Sequence, residues 1–196
     1  MIIDLFIIII AYFLGSIPFG LIIAKVSGLG DIRKIGSGNI GATNVMRTGS
    51  KKAAGATVLL DALKGVAAIT LVNFANSPWV LTFAGIAVVL GHIFPVWLNF
   101  KGGKGVATTM AVYLSASLFA GITACIIWLC VFKISRISSL AAISSMFITP
   151  IIACFFGGVY IGIMAIIVSS FVIYRHKENV MRLLRGEELA FKKETK

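Results

Sequence analysis

Four short stretches of this sequence hold the residue types that bind anions, and each is rich in glycine or in cations. The first is Gly36-Ser37-Gly38-Asn39-Ile40-Gly41-Ala42-Thr43-Asn44, followed by Arg47. Glycine has no Cβ, so successive N–H groups can curl around an anion while Ser37, Asn39, Thr43 and Asn44 add donors at the rim. Arg47 can fork onto two phosphate oxygens. Gly36-x-Gly38-x-x-Gly41 also matches the dinucleotide fingerprint, with Asp61 twenty residues further on. No strand precedes those glycines and Asp61 sits in an apolar run, which rules a dinucleotide site out. A flexible polar linker is the bland alternative. The placement of Asn39, Asn44 and Arg47 beside a hydrophobic boundary favours an anion-binding loop.

The second stretch is Asp61-x-x-Lys64-Gly65, inside an apolar run. A carboxylate and an ammonium in hydrocarbon cost several kcal/mol unless they pair or face a polar cavity. At i and i+3 they share a helix face and can pair. A structural ion pair, or Lys64 aimed at an anion and oriented by Asp61, both fit. The third stretch, Lys101-Gly102-Gly103-Lys104-Gly105, follows Gly91-His92-Ile93-Phe94-Pro95 and precedes Val106-Ala107-Thr108-Thr109. It lacks the GxxxxGK[ST] spacing, and no Walker B carboxylate accompanies it, which argues against an NTPase. Its glycines open a helix whose N-terminal N–H groups and dipole favour an anion, with a lysine on each side. Topogenic charge alone would not need lysines set among three glycines. In the fourth stretch, Tyr174-Arg175-His176-Lys177-Glu178-Asn179, His176 and Asn179 share a helix face. His92 fits a packing residue as well as a ligand. Glu187, Glu188, Lys192 and Lys193 read as a solvated terminus. Converging glycine loops, cations and Ser/Thr/Asn donors describe a site for phosphate groups, and two separate cradles suit more than one phosphate.

The elements that must position these stretches are membrane helices. Of 196 residues, 59% are hydrophobic and 13% charged, and the mean hydropathy is +1.01. A soluble domain carries about a quarter charged residues, so lipid must solvate most of this chain. Eighteen Lys and Arg oppose seven Asp and Glu. These charges lie between apolar runs rather than on a soluble basic face, which excludes nucleic acid as partner. Cys125, Cys130 and Cys154 sit in apolar runs without CxxC or metal-ligand spacing, so they read as buried hydrophobes and no metal is expected.

Apolar runs cover residues 2–24, 53–74, 79–100, 106–132 and 140–174. The first lacks a basic n-region and reads as an uncleaved helix. The last is too long for one span and divides at Gly157-Gly158, with Pro150 kinking its first half. Residues 25–52 carry Lys25, Arg33, Lys34, Arg47, Lys51 and Lys52 against Asp31 alone, while residues 73–78 carry no charge. The positive-inside rule then puts the first loop in the cytoplasm and the N-terminus outside. A single crossing by residues 106–132 would leave Lys133, Arg136 and the seven-cation tail outside. Folding back near residues 115–121 returns them to the cytoplasm, at the cost of two helices of roughly 13 residues, about 20 Å each. The expected architecture is therefore all-α and polytopic, with seven transmembrane helices, the N-terminus outside, the C-terminus cytoplasmic and residues 1–196 as one domain. No internal repeat is visible, so the inverted-repeat design of transporters gets no support.

In order along the chain come Gly15-Ser16-Ile17-Pro18-Phe19-Gly20, GSGNIGATN at 36–44, DALKG at 61–65 and GHIFPVW at 91–97. KGGKGVAT at 101–108, RHKEN at 175–179 and Arg182-Leu183-Leu184-x-Gly186-x-Glu188 complete the series. This ordered set resembles the bacterial acyl-phosphate-dependent glycerol-3-phosphate acyltransferases over nearly the whole chain. The resemblance implies transfer of a fatty acyl group from acyl phosphate to the 1-hydroxyl of glycerol-3-phosphate. Lysophosphatidic acid and phosphate would be the products, in the first step of phospholipid synthesis at the cytoplasmic side of the inner membrane. It implies no cofactor, no metal, and no direct use of acyl-CoA or acyl carrier protein. Carried over by position, Ser37 and Arg47 are the essential pair of the first motif, residues 101–105 the phosphate loop, and His176 and Asn179 the third motif. Glu188 is the more structural member. The expected catalytic set is Ser37, Arg47, Lys104, His176 and Asn179. The expected phosphate-binding set is Gly38, Asn39, Gly41, Thr43, Asn44, Asp61, Lys64, Lys101, Gly102, Gly103 and Gly105.

Acyl phosphate is an activated anhydride, so no covalent nucleophile is required. The protein must align two anionic substrates and neutralise their repulsion. Candidates for the general base are His176, Asp61 and the phosphate of glycerol-3-phosphate itself, with substrate assistance preferred. Expected partners are the two substrates, membrane lipid and a transiently docking soluble enzyme that forms acyl phosphate. A phosphate or phosphoester transporter is the main rival, and it would need a polar path through the nearly uncharged outer loops. A scaffold whose basic loops hold anionic lipid is the third alternative.

Overall fold

In hydrocarbon an unpaired backbone group costs several kcal/mol, so apolar runs close their hydrogen bonds internally as helices. The computed structural model describes residues 1–191, and Lys192 and Lys193 of the expected solvated terminus lie outside the described residues. Those residues form ten α-helices and no strand: α1 (Ile2–Ser16), α2 (Phe19–Val26), α3 (Ala42–Met46), α4 (Lys51–Thr70), α5 (Trp79–Ile93), α6 (Val106–Ala116), α7 (Leu118–Ser135), α8 (Ser138–Phe156), α9 (Gly158–Arg175) and α10 (Lys177–Leu184). Six stretches are long and apolar enough to cross a membrane: Ile2–Val26, Lys51–Phe74, Trp79–Leu98, Leu118–Ser135, Ser138–Phe156 and Gly158–Arg175. The apolar α6 is shorter, at 11 residues.

The breaks fall where the backbone chemistry demands them. The first run is not one unbroken helix. Pro18 has no N–H to donate, so α1 stops at Ser16 and α2 resumes at Phe19. The third run likewise ends its α-helix at Ile93, ahead of Pro95, and closes with a 3-10 turn at Val96–Leu98. The fourth run turns at Ser117, an extended residue whose hydroxyl accepts from the Ala120 N–H at 3.4 Å. There α7 folds back against α6, and a Cβ on Gly121 would lie 2.3 Å from the Leu114 Cα. The turn lies inside the expected window, but the arms are 11 and 18 residues rather than two of about equal length. The fifth run divides at Gly157 and Gly158, where Gly158 takes a positive φ of 73°. Pro150 sits within α8, which continues to Phe156.

Close helix contacts rest on small residues, as association in lipid favours. A Cβ on Gly15 would lie 2.0 Å from the Val88 carbonyl oxygen, and one on Gly91 2.1 Å from that of Tyr12, so α1 and α5 touch backbone to backbone. Gly15→Leu is expected to lower stability by about 2 kcal/mol through overpacking, read as a fall in melting temperature in detergent. Unchanged melting would mean the two helices do not meet there. Bulky side chains such as Phe6, Phe83, Phe147 and Phe155 face outward toward lipid. At the end where α4, α6 and α8 begin and α5, α7 and α9 finish, residues 27–50 fold over a small core. Ala24, Ile32, Ile40, Val45, Ala53 and Ala54 are all buried there, so this segment is packed structure and not a flexible linker.

Candidate active site

A cavity of about 350 Å³ opens at that end of the bundle. Ser37, Asn39, Thr43, Arg47, Lys104, Ser138, Ser139, His176, Asn179 and Glu188 give it a polar part, while Val58, Val106, Ala107, Met110, Cys125, Trp128, Leu129 and Ala142 give it an apolar one. Val58 of α4 and Leu129 of α7 line the cavity and are also exposed on the outer surface of the bundle. The apolar part therefore meets the lipid side between α4 and α7, above the short α6.

The first glycine loop is built around Asn44, which is 1% exposed. Its Oδ1 accepts from the Ser37 N–H at 3.0 Å, and its Nδ2 donates to the carbonyls of Ile32 at 2.7 Å and Ile35 at 3.2 Å. Asn44 thus braces the loop, and it has no N–H left for phosphate. Gly36 must be glycine here, with φ of 55° and room for a Cβ only 2.4 Å from Asn44 Oδ1. The expected nest of free amides is not present. The Gly38 N–H donates to the Ile35 carbonyl at 2.9 Å and the Gly41 N–H to Asn39 Oδ1 at 2.9 Å. Gly38 itself is exposed and stands off the cavity lining. The Thr43 hydroxyl sits 3.1 Å from that of Ser138. Arg47 is half-buried at the cavity, and its guanidinium makes no hydrogen bond or ion pair with another described residue. Burial pulls its pKa below the usual arginine value, against the opposing field of Glu188.

The second glycine loop also departs from a phosphate cradle. The Gly102 N–H donates to the Ile93 carbonyl and the Gly103 N–H to that of His92, each at 3.0 Å. Arg175 holds the other side, donating to the Gly102 carbonyl at 3.2 Å and the Gly103 carbonyl at 3.4 Å. Gly102 and Gly103 are glycines because a Cβ would fall 2.3 Å from the His92 carbonyl oxygen and 2.0 Å from His92 Nε2 respectively. Lys101 is exposed and away from the cavity lining. Of this loop, Lys104 and Gly105 reach the cavity, followed by the first residues of α6, whose leading amides have no helical acceptor.

Lys104 is the start of a relay of hydrogen bonds. Its Nζ donates to Asn179 Oδ1. Asn179 Nδ2 donates to Glu188 Oε1 at 2.6 Å, the Ser139 hydroxyl to the same oxygen at 2.9 Å, and Arg182 Nε to Oε2 at 2.7 Å. The Glu188 side chain is only 6% exposed, so it is not part of a solvated terminus. Burial alone would raise its pKa, but the bonds from Arg182, Asn179 and Ser139 outweigh that and hold it below the ordinary carboxylate value. Burial pulls Lys104 down to about 8, with the charges of Arg182 and Arg47 adding to the shift against Glu188. His176, 2% exposed, bonds through Nδ1 to the Val172 carbonyl at 2.7 Å. A carbonyl only accepts, so Nδ1 carries the proton and Nε2 is an acceptor. Burial and then the Lys104 charge bring its pKa to about 4, keeping the ring neutral.

Asp61 and Lys64 do pair, Nζ to Oδ1 at 2.8 Å. Lys64 also reaches the Ile17 carbonyl at 3.0 Å, at the Pro18 break, and His92 Nδ1 at 2.9 Å. Bonded to Ile17 and His92 and paired with Asp61, Lys64 stands behind the cavity wall that Asp61 and His92 line, so it is not placed as an anion ligand. The structure therefore brings together Ser37, Arg47, Lys104, His176 and Asn179, and adds Glu188, His92, Ser138 and Ser139. The serine pair opens α8 just after Arg136, a polar start to an apolar run that could have marked it.

Helices of spanning length around an amphiphilic cavity at one boundary define a multi-pass integral membrane protein. A family model described as glycerol-3-phosphate acyltransferase matches residues 5–186, and the chain belongs to that family. It is 49% identical over 178 residues to a glycerol-3-phosphate acyltransferase of Mesorhizobium japonicum, covering 90% of each chain. It is 51% identical to that of Paramagnetospirillum magneticum, covering 90% of this chain and 88% of the relative. Among solved structures it is similar to the glycerol 3-phosphate form of PlsY, an integral membrane glycerol 3-phosphate acyltransferase, with a TM-score of 0.91, 43% identity and 96% of both chains covered. The lysophosphatidic acid form of PlsY superimposes with a TM-score of 0.89 at 42% identity, over 96% of this chain and 95% of that one.

Proposed function

We propose that this protein moves a fatty acyl group from acyl phosphate to the 1-hydroxyl of glycerol-3-phosphate, releasing lysophosphatidic acid and phosphate. The observation that carries this is a cavity in which two cationic groups, the Arg47 guanidinium and the Lys104 ammonium steadied by Asn179, adjoin an apolar wall open toward lipid. A soluble phosphoester and a lipid-tailed phosphate can meet there and nowhere on an all-polar or all-apolar surface. Ser37 and Arg47 hold the phosphoester, while Lys104, steadied by Asn179, neutralises the phosphate that leaves. The amides at the start of α6 add donors for the same anion.

The hydroxyl proton passes to a phosphate oxygen of the substrate. His176, with a pKa of about 4, is too weak a base to take it near neutrality, and its Nε2 orients the hydroxyl as an acceptor. The fold-back at Ser117, with basic residues beside the site, supports seven crossings. On this reading the N-terminus is outside, and the C-terminus and cavity are at the cytoplasmic face of the inner membrane. The test is purified protein with palmitoyl phosphate and glycerol-3-phosphate. Lysophosphatidic acid and inorganic phosphate are expected in equal amounts, and failure to form the lipid would sink the proposal. A soluble acyl-phosphate-forming enzyme is the matching source of the donor.

A further inference from the structure

The Lys64 ammonium is hydrogen-bonded to the Ile17 carbonyl at 3.0 Å and to His92 Nδ1 at 2.9 Å, and is ion-paired with Asp61 Oδ1 at 2.8 Å, an oxygen that accepts no hydrogen bond among the described residues. An ammonium has three N–H groups and no lone pair, so His92 Nδ1 must be the acceptor and the imidazole proton sits on Nε2. Asp61 Oδ1 lies 3.5 Å from the same Nδ1, outside the range of an N–H···O bond, and does not compete for the tautomer. His92 is 6% exposed and lines the cavity. Its Nε2 has no hydrogen-bond partner among the described residues. Gly103 packs against the ring, and any larger residue there would cover Nε2, since a Cβ would lie 2.0 Å away. A donor on a nine-tenths buried ring that lines the cavity is thus left without an acceptor among the described residues.

Its position says which ligand atom it meets. Asp61, in contact with His92, is one helical turn from Val58, where the apolar wall of α4 begins. The loop packed on the imidazole carries Lys104 into the polar part. Nε2–H therefore stands where a bound acyl phosphate changes from phosphate to hydrocarbon, which is its carbonyl group. We propose that His92 Nε2–H is a hydrogen-bond donor to the acyl carbonyl oxygen, with Lys64 and Asp61 as positioning residues that fix its tautomer. The inference rests on the acyl-transfer function above.

In the step concerned, the glycerol hydroxyl oxygen bonds to the carbonyl carbon. The C=O π pair moves onto oxygen, where His92 stabilises the developing charge. As the carbonyl re-forms, the C–O bond to phosphate breaks and its electron pair leaves with the phosphate. The hydroxyl proton ends on a phosphate oxygen. A neutral donor in a water-poor site acts on the charge that appears only in the transition state.

The experiment compares palmitoyl phosphate as substrate with hexadecyl phosphate, which has the same tail and phosphate but no carbonyl, as inhibitor. His92→Phe should lower kcat about 100-fold, the loss typical of one oxyanion donor, with KM for glycerol-3-phosphate and inhibition by hexadecyl phosphate unchanged. His92→Gln, which keeps an N–H at similar reach, should recover part of that loss. A matching fall in hexadecyl phosphate affinity would overturn the proposal, because the role would then be structural or directed at phosphate, and so would an unaltered kcat. Nitrogen NMR of the labelled wild-type protein needs no variant to fold and no turnover. A proton on Nε2 supports the assignment and a proton on Nδ1 overturns it, whereas absence of acyl transfer by wild type sinks the functional proposal instead.

Discussion

Lys104→Ala is expected to lower kcat/KM on the order of 1,000-fold while leaving the bundle folded, because in the proposed reaction it removes a half-buried cation from the point where phosphate charge develops. Lys104 enters the cavity from a loop pinned on both sides, by α5 carbonyls bonded to Gly102 and Gly103 and by Arg175. Its ammonium is held by Asn179, so the proposed transfer would need little reorganisation there when charge appears on the leaving phosphate. Neither the exposed Lys101 nor Lys64, which stands behind the cavity wall, can substitute. A loss of less than about tenfold would show that Arg47 and the α6 amides suffice.

The same lysine predicts the pH dependence. Burial takes its pKa from 10.5 to about 8. In the proposed reaction the cation is the active form, so the rate should be level below that value and fall as pH rises through it. His176, at about 4, is neutral throughout this window and contributes no fall on the acid side near neutrality. Lys104→Arg keeps the charge to far higher pH, so it should move the alkaline fall upward while losing some rate to altered geometry. An alkaline limb that stays in place in the arginine variant would assign the titration to another group.

Much of the site could be foreseen from residue types, because cations and glycines in an apolar chain have few other uses. Ser37, Arg47, Lys104, His176 and Asn179 do converge on one cavity. What residue types do not reveal is where each hydrogen bond goes. Gly102, Gly103 and Gly38 look like donors to an anion, yet main-chain carbonyls already take their amides. Asn44 looks like a ligand and is a brace, since three neighbours in its own loop satisfy it. Lys64 and Asp61 were placed on one helix face by their spacing. Only the fold supplies the Ile17 carbonyl and His92 that complete the cluster. Six spanning stretches were legible from hydropathy, whereas the seventh expected span, α6, is an apolar helix of 11 residues, and the breaks at Pro18, Pro95 and Ser117 had to be resolved by backbone chemistry. At each of them a local break overrides an unbroken apolar run. Glu188 was the least visible residue. A glutamate near a charged tail reads as solvated until tertiary contact buries it.

Removing that carboxylate is expected to cost more stability than overpacking the contact between α1 and α5 at Gly15. Glu188 accepts from Asn179, Ser139 and Arg182 at once, joining the C-terminal segment to α8 and α10. In Glu188→Ala these three donors lose their acceptor together. Breaking a buried ion pair costs about 3–5 kcal/mol, and the low end applies because Arg182 is 34% exposed. A loss of about 3 kcal/mol corresponds to a melting decrease of roughly 6–12 °C in detergent. Activity should fall as well, since Asn179 is then free to turn its amide and release Lys104. Glu188→Gln keeps the shape and one acceptor, so it should lie between wild type and alanine. The charge adds a check with a definite sign. The folded-state pKa of Glu188 is depressed, so its stabilisation is present above the ordinary carboxylate range and is lost as pH falls through it. Wild type should therefore melt progressively earlier on acidification, and the glutamine variant should show less of that dependence. If both proteins lost stability in parallel on acidification, the carboxylate would not be the anchor that ties this segment to the site.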